Sequence, residues 1–341
     1  MTICLLDPGI GNNQGAPSDN LGDLIIQDAV LREIHSIFGE QNIIRFSTHV
    51  PLEDEQFKLM QNCSHILVGG TNLLCSNMNQ YNQWKVWLLD AFRIKRAILL
   101  GISWWQYQGR PNLYTQILLK AALSSKAIHS VRDGYSAQKL KSIGIRNVIN
   151  TGCPTMWPLA NMQPGDIPTQ KADNALIMLT DYSQQPQLDR ELLQLATSKY
   201  QRVFVWPQGK GDRDYLASLI AEINLPITLL DYSMNALEEF IGSGIAFDYI
   251  GTRLHGGIRC LLAGKRSLIL AIDHRAKEIS QETGLPTSER TDLAYINHWI
   301  TSATATQIRM DVAAIDQWKS QFTNSLSARS PQLLKATAAL K

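Results

Sequence analysis

The sequence carries little excess charge and lacks any apolar run long enough to cross a membrane. Its 32 Lys and Arg residues nearly match its 30 Asp and Glu residues, and they are scattered along the chain. Nucleic-acid-binding proteins usually concentrate basic residues on one face, so we expect no nucleic-acid partner. The most apolar stretch, residues 97–105, is far shorter than the roughly 20 residues of a membrane-spanning helix, so we expect no span.

Cysteines are few and far apart, which argues against a disulfide framework and a zinc site. They form no CxxC pair and have no histidine partner at zinc spacing, so a reducing compartment is the simpler interpretation. The N-terminal apolar run lacks a basic start and breaks at Asp7 and Pro8, which indicates a buried strand instead of a signal peptide. We therefore expect a protein of a reducing compartment without a bound metal. The thiols are Cys4, Cys63, Cys75, Cys153 and Cys260.

The composition is sufficient for two hydrophobic cores. The 341 residues are 45% apolar and 18% charged, as expected for a globular protein of about two domains. Short apolar runs alternate with helical patterns, which favours an α/β fold with mostly parallel sheets. We predict two doubly wound domains, residues 1–155 and 174–300, facing across a cleft and joined by a Pro-rich linker over residues 156–173. Residues 301–341 are expected to be helical and to pack back on the first domain.

Residues 248–273 carry the clearest chemical signal, because a short apolar strand runs into Gly-Thr-Arg-Leu-His-Gly-Gly at the start of a helix. Such a turn presents free backbone N–H groups at the positive end of a helix, here beside the Arg253 cation and the His255 imidazole. We expect Leu254 to point inward while its two polar neighbours face solvent or ligand; the alternative is an ordinary core histidine. The pattern suits an anionic substrate on which a proton moves.

Polar residues at other predicted strand ends and helix starts are further candidates. Asp23 follows Asn20 at the start of a predicted helix, where it could accept hydrogen bonds from sugar hydroxyls or simply favour the helix dipole. Arg132 ends a strand and could hold a carboxylate, or could be a surface arginine followed by the helix-capping Asp133. Arg259 lies one helical turn after His255, where it could share the site with His255 or be a surface charge.

Glycine and aromatic residues complete the set of candidates. Gly70 follows a strand, so its backbone can approach a ligand closely, although Gly-Gly pairs occur in many tight turns. The chain has no GxGxxG at a strand-to-helix turn, so a dinucleotide cofactor is not predicted. Trp104 and Trp105 follow the strand predicted over residues 97–101, where their rings could stack on a sugar or fill a core. A helix is predicted over residues 81–92.

These segments together resemble the polysaccharide pyruvyl transferase family. The resemblance covers most of residues 20–285 in family order, and its most specific part is the RLH turn with its flanks. The motifs that carry it are GDLIIQDAV, ILVGGTNLL, GIS, VRDGYSAQKLKSIGI, TGCP and DYIGTRLHGGIRCLLAGKRSLILAIDHRAKEISQETGL.

The resemblance implies two Rossmann-like domains in a GT-B-like architecture, and a cytoplasmic enzyme that uses phosphoenolpyruvate as co-substrate, without a cofactor, to form a pyruvyl ketal on a sugar. It implies a donor site in the second domain and an acceptor site in the first. His255 and Arg253 are the catalytic candidates. The predicted donor contacts are Arg132, Thr252, Arg253, Leu254, His255 and Gly256, and the predicted acceptor contacts are Asn20, Asp23, Gly70, Trp104 and Trp105.

Two positions depart from the family pattern. The family commonly has Gly-Asp-Pro where this chain has Gly-Cys-Pro around Cys153, so no acidic role is expected there. A lysine is common near Arg275, which keeps the positive charge in a different geometry. Asp273 and His274 beside it form a polar cluster at a strand end that could contact phosphate or acceptor.

Two rival functions stay open. A GT-B glycosyltransferase or epimerase would use a nucleotide sugar, and it needs a carboxylate for the ribose hydroxyls that the sequence does not make obvious in the second half. A family member without catalysis would keep the fold but need not keep Arg132, Arg253 and His255. The acceptor sugar, the oligomeric state and any peripheral contact with a lipid-linked glycan are not decided by the sequence.

Overall fold

The computed structural model describes residues 2–327, and the chain divides into two compact units. Unit 1 comprises Met1–Gly15, Gln27–Trp157 and the described part of Asp311–Lys341. Unit 2 comprises Ala16–Ile26 and Pro158–Met310. The short segment Ala16–Ile26, which the sequence does not set apart from its surroundings, therefore groups with the second half of the chain.

Unit 1 contains a four-stranded parallel sheet with the order β2-β1-β3-β4 and a two-stranded parallel sheet, β5-β6. A bridge between Ile102 and Val131 connects the end of β4 to β5. Strands β1, β3 and β4 are almost wholly buried, as apolar runs covered on both faces should be. The strands are β1 (Thr2–Asp7), β2 (Asn42–Ser47), β3 (His65–Gly69), β4 (Ala97–Leu100), β5 (His129–Val131) and β6 (Val148–Asn150).

Helices connect the strands of unit 1, but two of them differ from the sequence-based prediction. The helix predicted over residues 81–92 is wrong in its first half, because residues 81–87 are irregular and the helix begins only at Leu88. A helix at Asp54–Gln61 was not predicted. The helices are α1 (Leu21–Phe38), α2 (Asp54–Gln61), α3 (Leu88–Ile94), α4 (Leu113–Ala122) and α5 (Gly134–Ser142).

Unit 2 is built on a six-stranded parallel sheet with the order β12-β11-β10-β7-β8-β9. Counted from β7, this is the strand order of a Rossmann fold, whose order reverses between its first and fourth strands. That reversal lies between β7 and β10. The strands are β7 (Asn174–Met178), β8 (Arg202–Val205), β9 (Ile227–Leu229), β10 (Phe247–Gly251), β11 (Ser267–Ala271) and β12 (Thr287–Glu289).

The crossover helices of unit 2 bury apolar faces against the sheet, with side chains such as Leu192, Leu216 and Ile296 in one core cluster. The predicted α/β class with two Rossmann-like units and parallel sheets is confirmed. The helices are α6 (Pro186–Lys199), α7 (Lys210–Ile223), α8 (Met234–Gly242), α9 (Leu254–Leu262), α10 (His274–Thr283) and α11 (Leu293–Thr301).

The C-terminal segment is helical only in part. Residues 303–311 are not helical, and a last helix, α12 (Val312–Ser327), follows them; residues 328–341 lie outside the described part of the chain. The helix packs on unit 1, because the Gln321 side chain donates to the Ile128 carbonyl at 3.0 Å and accepts from its N–H at 2.8 Å. No helix within residues 2–327 is long and apolar enough to span a membrane.

Candidate active site

The turn from β10 into α9 lies where the strand order of the unit 2 sheet reverses. Ligands bind at the carboxyl ends of strands at this point in open α/β sheets. A glycine is required at Gly251, because a Cβ there would lie 2.3 Å from the Met178 carbonyl oxygen of β7. The Thr252 N–H donates to that same oxygen at 2.8 Å. The turn is thus fixed tightly against the neighbouring strand, and Arg253 follows as the cap residue of α9.

Arg253 is buried and binds Asp212 with two hydrogen bonds. Its Nε donates to Asp212 Oδ2 at 2.8 Å and its Nη2 donates to Oδ1. Asp212 is fully buried and also accepts N–H bonds from Asp181, Gln208 and Gly209. A guanidinium and a carboxylate paired in this way largely compensate each other's charge. Of the described residues, none accepts a hydrogen bond from the remaining Nη1 of Arg253.

Asp181, at the carboxyl end of β7, is a second carboxylate beside Arg253. Its Oδ1 lies 3.3 Å from Arg253 Nη2, and its side chain is 35% exposed. Partial burial and the nearby Asp212 carboxylate raise the pKa of Asp181 above its ordinary value, against the attraction of Arg253. Asp181 therefore takes up a proton more readily than a free aspartate.

Tyr182 connects Arg253 to the polar cluster after β11. The centre of its ring lies 5.0 Å from the Arg253 guanidinium, and its hydroxyl accepts a 3.4 Å hydrogen bond from Arg275. Arg275 is held in turn by Asp273, whose Oδ2 accepts from Nε at 2.9 Å. Although burial opposes it, the Arg275 charge holds the pKa of Asp273 below its ordinary value. The predicted polar cluster thus belongs to the same sheet edge as the RLH turn.

His255 lies in the first turn of α9 and is 6% exposed. Leu254 and Arg253 beside it are also buried. All three side chains are withdrawn from open solvent, and the expectation that Arg253 and His255 face a ligand stays a prediction. An imidazole so placed is shielded from water and close to the positive end of the helix, where an anion is stabilised.

Gln208 closes part of the helix N-terminus. Its side-chain oxygen accepts the Gly256 N–H at 3.0 Å, and its side-chain nitrogen donates to Asn20 Oδ1 at 3.3 Å. The Gly256 N–H is thus engaged within the protein, and the predicted donor contact at Gly256 stays a prediction. A glycine is needed there for packing, because a Cβ would lie 2.3 Å from the sulfur of Met178.

The predicted acceptor residues Asn20 and Asp23 also lie in unit 2. Asn20 Oδ1 accepts from the Gly22 N–H at 3.1 Å, and the residue forms an antiparallel bridge with Gly209. Asp23 is 7% exposed and accepts a 3.0 Å hydrogen bond from the Ser18 hydroxyl. These contacts place the start of α1 beside the loop that precedes α7. Whether Asn20 and Asp23 bind a sugar stays a prediction.

Arg132 forms a separate polar cluster in unit 1, at the carboxyl ends of β3, β4 and β5. It is 1% exposed and donates to the side-chain oxygen of Asn72, which also accepts from Ser103 at 2.9 Å. Asp133 caps α5 by accepting the Ser136 N–H at 2.7 Å, as the sequence suggested for that residue. Gly70 lies at the same strand ends, where a Cβ would approach the Gly101 carbonyl oxygen to 2.6 Å.

The two tryptophans after β4 differ in accessibility. Trp104 is completely buried, and its indole nitrogen donates to Gln108 at 3.1 Å. The prediction that Trp104 stacks on a sugar is therefore wrong, because the ring fills the core. Trp105 is half-buried and stacks on Tyr81 with ring centroids 4.1 Å apart, so its predicted role in acceptor binding stays open.

Arg259, the further candidate near the RLH turn, pairs with Glu238. It pairs with neither Asp181 nor Asp212 and thus lies outside the cluster around Arg253.

Three residues of this site escaped sequence reasoning: Asp181, Gln208 and Asp212. They come from the segments that follow β7 and β8, with Asp212 in the first turn of α7, and the chain separates Asp212 and Asp181 from Arg253 by 41 and 72 residues. The usable signal was the glycine density of Gln208-Gly209-Lys210-Gly211-Asp212 at a strand-to-helix turn. Gly211 allows the close approach, since a Cβ there would lie 2.0 Å from Asp181 Oδ2.

Comparison with known proteins places the matched region across both units. The family model described as polysaccharide pyruvyl transferase matches residues 20–274. Among solved structures, the UDP-GlcNAc 2-epimerase of Methanocaldococcus jannaschii, in complex with UDP-GlcNAc and UDP, is similar with a TM-score of 0.55 and 9% identity; 96% of this chain and 100% of that chain are covered. The S. aureus MnaA–UDP structure has a TM-score of 0.50 and 11% identity, with 89% and 91% covered. At such low identity these structures support the fold alone. No curated protein matches the sequence.

Proposed function

Because the chain belongs to the polysaccharide pyruvyl transferase family, we propose that it transfers the pyruvyl group of phosphoenolpyruvate onto two hydroxyls of a sugar as a ketal, with release of phosphate. The acceptor is a polysaccharide or glycan precursor. One observation carries this assignment within the family. Arg253, the cap residue of α9, and His255 in its first turn both lie buried where the unit 2 sheet reverses its strand order.

The donor carries a carboxylate and a phosphate, and the turn supplies groups for both. The first amides of α9 lie at the positive end of the helix, which favours an anion. Arg253 keeps Nη1 available for a further hydrogen bond, because Asp212 engages only Nε and Nη2. Arg132, buried at the strand ends of unit 1, remains a proposed second donor contact, as do Thr252 and Leu254.

The reaction requires one proton to move onto carbon. His255 as the acid would protonate the methylene carbon of phosphoenolpyruvate, which leaves an oxocarbenium-like centre at the neighbouring carbon. A first sugar hydroxyl attacks that centre and loses its proton, which restores the protonated acid. Phosphate then leaves, and the second hydroxyl attacks and gives its proton to the departing phosphate. A positioned acid of this kind contributes about 10²- to 10⁴-fold to the rate.

Asp212 sets the electrostatics of Arg253 in this proposal. Buried cations are stable only when they are paired, so Asp212 holds Arg253 in place and compensates most of its charge. The bound anion then meets a fixed hydrogen-bond donor and a helix terminus instead of a strongly basic pocket. The histidine gains most from the anion, because a negative ligand beside it favours its protonated form.

The acceptor side and the cellular setting rest on the family resemblance. We propose that the enzyme works in the cytoplasm without a cofactor, that Asp23, Asn20, Gly70 and Trp105 contribute to sugar binding, and that the acceptor is free, nucleotide-linked or attached to a lipid carrier.

Thermal unfolding with candidate donors tests the assignment. A ligand at 100 times its Kd stabilises the folded state by about 2.7 kcal/mol. We expect phosphoenolpyruvate to raise the Tm and a UDP-sugar to leave it unchanged. His255→Gln should reduce the shift, whereas Arg259→Gln, which alters a residue paired with Glu238 outside the cluster, should keep it. A shift produced by UDP-sugars alone would contradict the proposal and favour a nucleotide-sugar enzyme.

A further inference from the structure

Unit 1 exposes an apolar surface on neighbouring helices that the reaction does not use. Eleven large apolar side chains are exposed in the described part of the chain, and seven of them fall between residues 81 and 117. Single exposed apolar residues are ordinary, but a cluster marks an interaction surface. The seven are Tyr81, Trp87, Leu89, Phe92, Tyr107, Leu113 and Ile117.

Helices α3 and α4 carry the core of this surface. They begin side by side, because the Leu88 N–H donates to the Tyr114 hydroxyl at 3.2 Å. Residues three or four apart share one face of a helix, and the exposed apolar residues follow that spacing on both helices. The exposed fractions reach 79% at Leu89 and 71% at Leu113. The pairs are Leu89 with Phe92 on α3 and Leu113 with Ile117 on α4.

The same segment is strongly basic, although the whole chain is nearly neutral. Residues 85–126 contain seven basic residues and one acidic residue, a net charge of +6, against +2 for the entire chain. The even distribution of charge expected from the composition therefore does not hold here. The basic residues are Lys85, Arg93, Lys95, Arg96, Arg110, Lys120 and Lys126.

Several of these cations lie at the C-terminal ends of the two helices, next to the apolar turns. A cleft at the end of α3 is lined by Phe92, Arg93, Lys95 and Arg96. Arg93 is paired with Asp54 at 2.8 Å, whereas Lys95 and Lys120 are exposed. The apolar side chains and the exposed ammonium groups thus occupy adjoining parts of one surface.

We propose that this α3–α4 surface docks on an anionic membrane. Trp, Phe and Leu side chains enter the headgroup boundary of a bilayer, and Lys and Arg beside them are attracted to anionic lipids. A second copy of the chain fits less well, because a twofold contact would bring the +6 segment against itself. The proposal does not depend on the pyruvyl-transfer chemistry, since it uses none of the residues of that site.

Vesicle flotation tests this docking directly. The full chain is mixed with phosphatidylcholine vesicles, or with vesicles that also contain phosphatidylglycerol, and the bound fraction is measured. We expect flotation with the anionic vesicles and a marked decrease as the salt concentration rises, because screening weakens attraction at a charged surface. No flotation with the anionic vesicles, or equal flotation with neutral vesicles, overturns the proposal.

Substitutions separate the apolar and basic contributions. Leu89→Ser combined with Leu113→Ser should lower vesicle binding about tenfold or more, because both side chains lose burial in the headgroup boundary. Lys95→Gln and Lys120→Gln should each lower it about fivefold. Tyr295→Ser, at an exposed apolar residue of unit 2, is the matched control and should change nothing. If the Leu89 and Leu113 changes instead dissociate a dimer in size-exclusion chromatography while vesicle binding is unaltered, the surface is a contact between copies and the proposal is wrong.

Discussion

Arg132 in unit 1 and Arg253 in unit 2 follow a strand in the same way, yet the protein surrounds them differently. Arg132 donates to the neutral side-chain oxygen of Asn72, whereas Arg253 holds the Asp212 carboxylate with two hydrogen bonds. The helix after Arg132 is capped by the carboxylate of Asp133, while no side chain of its own cap residue closes the helix after Arg253.

The difference separates two ways to attract an anion. In unit 2 Asp212 compensates the charge of Arg253 inside the protein, so in our proposal the helix terminus and His255 supply most of the attraction for an anion. In unit 1 Asp133 caps the helix that follows Arg132, so in our proposal the anion contact there is Arg132 itself. The position of an arginine at a strand end therefore does not tell how strongly it attracts an anion. The side chain that pairs with the arginine determines this.

The largest effect is expected when the acidic partner in unit 2 is removed. Asp212→Ala should lower the free energy of unfolding by about 3–5 kcal/mol, because it removes the buried carboxylate that pairs with Arg253 and leaves only the more exposed Asp181 at 3.3 Å. Denaturation in urea measures the change. Glu238→Gln is the control, since it breaks the more exposed pair with Arg259 and should cost no more than about 1 kcal/mol. If both variants lost the same free energy of unfolding, the buried Arg253–Asp212 pair would stabilise the protein no more than the exposed pair does.

The neutral partner in unit 1 should matter less. Asn72→Ala removes an acceptor shared by Arg132 and Ser103, and we expect a loss of about 1–3 kcal/mol in the free energy of unfolding. Asn72→Asp sharpens the comparison, because it replaces the neutral oxygen that accepts from Arg132 with a carboxylate like that of Asp212. If Arg132 contacts the donor, this variant should keep its stability within about 1 kcal/mol and bind phosphoenolpyruvate more weakly. Unchanged affinity would argue against Arg132 as a donor contact.

The smallest effect concerns the pH dependence contributed by Asp181. Its pKa is raised by partial burial and by the Asp212 carboxylate, so the folded state holds this proton more tightly than the unfolded state. The corresponding stability is fully present below the unfolded pKa of 3.8 and is lost as the pH rises through the folded pKa. Asp181→Asn should therefore be slightly more stable than the native protein at neutral pH, with the difference closing towards pH 3.8. A stability difference that grows on acidification would contradict a raised pKa at Asp181.

Much of the fold could be predicted from the sequence, because the signal is local. Apolar runs such as residues 3–6 and 65–68 are buried parallel strands, and the helix predicted to start near Asn20 forms as Leu21–Phe38. The helix over residues 81–92 failed because its apolar residues pack irregularly: Trp84 and Val86 are buried without a helical turn. Periodicity alone does not distinguish these cases.

The site could be predicted from the sequence only where its residues lie in a single segment of the chain. The strand, the turn and the helix of the RLH segment are local features, and the structure has them as β10, the turn and α9. Two contacts join residues that are far apart in the sequence. Arg253 pairs with Asp212 across 41 residues, and Gln208 accepts the Gly256 N–H across 48 residues. Such contacts follow from sheet order, which the sequence does not specify. The sequence left open whether Trp104 stacks on a sugar or fills a core, and such contacts decide for the core.

The most direct test of the central claim compares the native protein with His255→Gln in a transfer assay. Each is incubated with phosphoenolpyruvate and a panel of glycans, and products are analysed by mass for an added pyruvyl ketal, with phosphate release measured in parallel. Glutamine keeps a buried polar side chain but does not act as an acid. We predict ketal formation by the native protein and a loss of about 10²- to 10⁴-fold in His255→Gln, with circular dichroism unchanged. Near-native turnover in the variant would contradict the assignment of His255 as the acid.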